Sequence, residues 1–175
     1  MIYNVPKILA FIGLMGLISA PAFAQDAAPL PEITRIYAKP DSFLATSVSI
    51  PDGYKMIYVS GQLAGVANPD APKGTVAAYG DTETQTESIM GKLQAALEAQ
   101  GATMNDVVNM HVYLAADPNL DNKMDFAGMM KSYLRHFGTA TTPNRPTRAA
   151  FQVANMAGPG FLVEIEVTAA IPQTK

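Results

Sequence analysis

The sequence has 175 residues, 49% of them hydrophobic and 15% charged, with no cysteine, two histidines and a formal net charge of −3. That composition suits one domain with a substantial apolar core. It excludes disulfides, thiolate metal centres and thiol nucleophiles, leaves too few histidines for an imidazole metal cage, and lacks the basic balance of a nucleic-acid binder.

In chain order, Lys7 precedes an apolar run from Ile8 to Ala20, and Ala22-Phe23-Ala24 supplies the small residues of an export cleavage site. Residues 1–24 are therefore expected to be a cleavable signal peptide. The run is shorter than the roughly 20 residues that cross a hydrocarbon layer, and Pro21 closes it. The mature protein is expected to be periplasmic or secreted, free of the membrane after cleavage, with a charge of about −4 once Lys7 is gone. Residues 25–32 read as an Ala/Pro linker and residues 33–172 as the domain.

Thr34 to Ala38 predicts an edge strand, and Leu44 to Ile50 a half-buried one. Pro51-Asp52-Gly53 is a turn signal, and Met56 to Gln62 a return strand, so these last two runs read as a hairpin. A helix is expected from Asp81 or Thr82, with Thr82 and Gln85 spaced as a capping box; Ile89, Leu93 and Leu97 make its apolar face and Gly101 its stop. Val107 to Leu114 predicts a strand. A second helix is expected from Asp121 or Asn122 to Phe137, with the stripe Phe126, Met129, Met130, Tyr133, Leu134 and Phe137 assigned to the core. Arg148 to Met156 and Leu162 to Ile171 predict two closing strands. In the last, Val163, Ile165 and Val167 oppose Glu164, Glu166 and Thr168. The order implies an α+β fold, a six-stranded mixed sheet with two helices packed on one face. The uncovered face calls for a partner or water, so an oligomer is expected.

The sequence carries no nucleophile elbow, phosphate loop, dinucleotide glycine pattern or HExxH. His111, within an apolar strand, reads as a core or interface histidine, and His136 as a cation at a helix C-terminus. Arg148 at a strand mouth and Glu164 on the polar side of the next strand leave two readings open. They are an ordinary surface or interface ion pair, or they form an anion-binding fork with a carboxylate that polarises water.

Several ordered segments carry a further signal: Tyr58-Val59-Ser60-Gly61-Gln62, Leu97-Glu98-Ala99-Gln100-Gly101, Asp106-Val107-Val108, Arg145-Pro146-Thr147-Arg148-Ala149-Ala150 and Pro159-Gly160-Phe161-Leu162-Val163-Glu164-Ile165-Glu166. From about Ile33 to Ile171 the chain resembles the RidA (YjgF/YER057c) family. The resemblance implies a chorismate-mutase-like fold, a homotrimer with ligand clefts between subunits, and no metal or organic cofactor. It further implies an enamine/imine deaminase that hydrolyses 2-imino acids such as 2-iminopropanoate and 2-iminobutanoate to 2-keto acids and ammonia. Arg148 falls on the family's substrate-carboxylate arginine, Glu164 on the glutamate that positions water, and Ser60 and Gly61 on the strand end lining the cleft. Three positions depart from the deaminase pattern: Phe43 stands where a tyrosine is common, Ala150 replaces a cysteine, and Ala127 is matched to an asparagine of the second helix. The alternative is a trimeric carboxylate-binding or protein-protecting module without turnover.

Overall fold

The computed structural model describes residues 30–173, so the expected signal peptide and the first part of the linker lie outside the described residues. Along the chain run β1 (Thr34–Ile36), β2 (Ser47–Ser49), β3 (Tyr54–Leu63), the four-residue α1 (Val76–Tyr79), α2 (Thr82–Glu98), β4 (Val107–Leu114), α3 (Phe126–His136), β5 (Thr147–Gln152) and β6 (Val163–Pro172), with a 3₁₀ turn at Met104–Asp106. The α+β class holds, and both long helices pack on one face. The six strands, however, form two sheets: a four-stranded one ordered β3-β6-β4-β5, and a separate pair, β1-β2.

The expected hairpin between the Leu44–Ile50 and Met56–Gln62 runs does not form. Strand β3 pairs instead with β6 from Tyr54↔Pro172 to Leu63↔Glu164, a match of two ten-residue strands that satisfies far more backbone than a three-residue partner can. The short β2 pairs with β1, and the pair is tied down from outside the ladder. Ala45 N donates to the Pro146 carbonyl at 2.9 Å, and the Arg35 guanidinium donates to the Asn105 and Val107 carbonyls. Strands β4 and β5 run parallel, with α3 in the connection between them, as parallel neighbours require.

The predicted alternation in β6 is realised: Val163, Ile165 and Val167 are buried under the helices and Glu164, Glu166 and Thr168 stand on the open face. The α2 face is as expected, with Ile89, Met90, Leu93 and Leu97 fully buried, each such side chain worth roughly 1.5–3 kcal/mol in burial. Its cap is Asp81, which accepts from Thr84 N at 2.8 Å, and no Thr82–Gln85 box forms. Gln85 is buried and its amide joins Gly80 O, Gly160 O and Leu162 N, stitching the helix start to the entry of β6. Gly101, at φ 76, takes the left-handed turn after the helix.

Helix α3 begins later than expected. Asp121 and Asn122 have φ of 53 and 55, outside any helix, and the cap is Asp125, which accepts from Gly128 N at 2.8 Å. The strand expected to reach Met156 ends at Gln152, and the rest is loop. Glu87 of α2 clamps the two helices together. It accepts from Ser132 Oγ at 2.8 Å and from Arg135 Nη2 at 2.8 Å, and pairs with His136 Nε2 at 2.9 Å. His136 is thus at the helix end as expected, but its partner is a side chain on the neighbouring helix.

Candidate functional site

Strand β5 alternates like any strand, so Arg148 and Ala150 point to the helix side and Thr147 and Ala149 to the open side. Ala150 packs against the core, and Arg148 extends beneath α3. There its guanidinium meets no carboxylate among the described residues. It lies over the Tyr133 ring at 4.4 Å, with the Phe43 and Phe126 rings at 5.5 and 5.7 Å, and Nη1 is 3.1 Å from the Met130 sulfur. Burial pulls the Arg148 pKa below its ordinary value, opposed by Tyr133, though an arginine stays charged throughout the physiological range. Burial likewise pushes the Tyr133 hydroxyl up to about 12, so it remains a donor, and it donates to the Phe43 carbonyl at 2.8 Å. That bond holds the Phe43 segment against Arg148. The result is a partly dehydrated cation in an aromatic and thioether cage, with its donors unspent on any anion.

Glu164 sits elsewhere. On the open face of β6 it lies beside Gly61, and a Cβ at Gly61 would collide with its carboxylate. Ser60 and Gly61 are the two residues of a β-bulge: Val59 pairs with Val167 and Gln62 with Ile165, leaving the pair opposite Glu166 alone. The glycine is needed for this close approach, and the bulge brings the strand end and the carboxylate together. Next to them, Glu166 Oε1 pairs with His111 Nδ1 at 2.9 Å and accepts from Tyr113 OH at 3.1 Å. His111 is therefore half-exposed on the open face and not in the core. A hollow of about 1040 Å³ between loops at one end of the sheet contains none of the predicted site residues.

The five predicted residues thus assemble as two groups. Phe43 joins Arg148 on the helix side, and Ser60 and Gly61 join Glu164 on the open side. Arg148 and Glu164 are separated by the sheet, so the ion-pair reading fails within one chain. Ala127 is exposed and does not reach Arg148; the α3 side chains that do are Phe126, Met129, Met130 and Tyr133. Sequence reading placed these four in the core. The connection of α3 into β5 is the signal that could have placed them over the arginine.

The sequence model described as endoribonuclease L-PSP matches residues 48–171. The chain belongs to that family, the YjgF/Rid proteins. A RutC family protein of Pyrococcus horikoshii is 34% identical over 113 residues, covering 65% of this chain and 77% of the relative. A structure of a conserved Rid family protein of unknown function from Yersinia pestis superposes with a TM-score of 0.58 at 22% identity, covering 80% of this chain and 98% of that one, which supports the fold. RidA from an Antarctic Psychrobacter is 27% identical, with a TM-score of 0.48, over 75% of this chain and 90% of its own.

Proposed function

We propose that this Rid family member is an enamine/imine deaminase that takes 2-imino acids and water to 2-keto acids and ammonia, in an assembly of three copies. The observation that carries the reading is Arg148, a caged guanidinium with no acidic partner among the described residues. A desolvated cation of this kind binds a carboxylate strongly, and its planar fork fixes the orientation of the acid.

Arg148 and Glu164 occupy opposite faces of one sheet, so a single small substrate touches both only where two copies meet. The uncovered sheet face, with Tyr58 78% exposed and Phe151 46% exposed, gives a neighbouring copy apolar surface to bury. In that cleft Arg148 of one copy holds the substrate carboxylate. Glu164 of the other takes a proton from water as the oxygen attacks the imine carbon, and returns it to the departing nitrogen. Ser60 and Gly61, released from the ladder by the bulge, shape the wall around that carbon.

A carboxylate-binding module without turnover is the second reading. It is favoured by Phe43 and Met130, which give the arginine cage no proton-transferring group besides Tyr133, whose hydroxyl is already committed. Deamination of 2-iminopropanoate generated in solution separates the two. The proposal expects ammonia release above the uncatalysed rate, abolished in Arg148→Ala. Equal rates for wild type, variant and buffer, with keto acid still bound by wild type alone, leave the binding module standing.

A further inference from the structure

The apolar stripe of α3 divides into two rows. Met129, Tyr133 and Phe137 are buried; Phe126, Met130 and Leu134, also spaced by four, lie along the outer side, with Phe126 39% and Leu134 52% exposed. The outer row starts at Arg148. Across the guanidinium stands Phe43, 45% exposed and held by the Tyr133 hydroxyl. Singly exposed apolar side chains are ordinary on any protein. Here two exposed rings and a thioether lie within 5.7 Å of the Arg148 cation, which has no acidic partner among the described residues.

We infer that the arginine site is built for 2-imino acids, and their 2-keto acid products, with bulky apolar side chains of the leucine, methionine or phenylalanine kind. The inference rests on the deaminase reading for turnover, but not for binding. A carboxylate seated on Arg148 presents the rest of its molecule to Phe43, Phe126 and Met130. None of these offers a hydrogen bond to a polar side chain, and a methyl group leaves both rings in water. A branched or aromatic group covers them and excludes water from the charged contact, strengthening it. The reaction is unchanged: the C=N bond is hydrolysed, water supplies the carbonyl oxygen and two protons, and nitrogen leaves as ammonia. Phe126 and Met130 act on specificity, by contact with the side chain.

The test measures kcat/KM of the mature protein for imino acids generated in situ from alanine, leucine and phenylalanine, alongside calorimetric binding of pyruvate, 4-methyl-2-oxopentanoate and phenylpyruvate. The bulky compounds should be preferred by about tenfold or more in both measurements, the scale on which apolar pockets discriminate. Phe126→Ala should cut the preference about fivefold through KM, and Phe126→Leu should retain most of it. Equal or alanine-favoured values with good turnover overturn the inference and leave the deaminase reading intact. Tighter binding of the bulky keto acids with no turnover of any imine does the reverse. A changed oligomeric mass of Phe126→Ala with an unchanged preference also overturns it, because the outer row is then an assembly surface.

Discussion

Replacing Arg148 with methionine should make the protein more stable while removing its anion affinity. A partly buried cation with no acidic partner among the described residues costs a few kcal/mol, and the Tyr133, Phe43 and Phe126 ring faces offset it by about 0.5–1 kcal/mol each. A methionine of similar length keeps the packing against Met130 and Tyr133 and drops the charge. The expected net gain is about 1 kcal/mol, a rise in Tm of about 2–4 °C for a domain of this size. Keto-acid affinity should fall at least about 30-fold, because a charge-assisted bidentate contact to a partly desolvated fork is lost. Urea unfolding at pH 7, with calorimetric titration of phenylpyruvate, reads both effects. A loss of more than about 1 kcal/mol at unchanged m-value would show that the guanidinium holds the fold together, and unaltered keto-acid binding would show that it holds no anion. Either result refutes the reasoning.

Glu87 is the group to follow in acid. Burial raises its pKa, but hydrogen bonds from Ser132, Arg135 and His136 outweigh that and hold it at about 2, against an ordinary 4.5. A depressed carboxyl contributes its stability above the unfolded value and loses it as pH falls from about 5 toward 2, so Glu87→Gln should cost about 1 kcal/mol at pH 7, discounted for its exposure, and flatten the acid limb; an unchanged slope counts against the clamp. Gly61→Ala should fold with little loss, since Glu164 can swing aside, yet reduce turnover about tenfold or more as the carboxylate is displaced; wild-type turnover would mean that the bulge does not place Glu164. For export, N-terminal sequencing of secreted protein should begin at Gln25, and an intact Met1 would contradict the expectation.

What the sequence discloses follows the reach of each interaction. The β6 alternation and the α2 face depend on neighbours two to four residues apart, and both stand as expected. Strand pairing depends on partners over a hundred residues away: Met56 finds Ala170, and nothing in Pro51-Asp52-Gly53 says that the adjacent run is too short to compete. The start of α3 was placed too early because Asp121 and Asn122 are cap-forming residue types, and the positive φ that keeps both out of the helix is not written in the sequence. At the site, Arg148 and Glu164 were legible as chemistry but their separation was not, because it needs the parity of two different strands. The Arg148 cage was hidden for a related reason. Methionine and aromatic residues at helical spacing read as core, and one row of them is.

A crystal structure of the protein with bound phenylpyruvate tests the central claim most directly. The expected result is a homotrimer in which the keto-acid carboxylate is bidentate to Arg148 of one copy. The phenyl ring should rest on Phe126 and Phe43, and the keto carbon should face Glu164 of the neighbouring copy. A ligand seated elsewhere, or an assembly in which the Arg148 and Glu164 of adjoining copies never share a cleft, would contradict it.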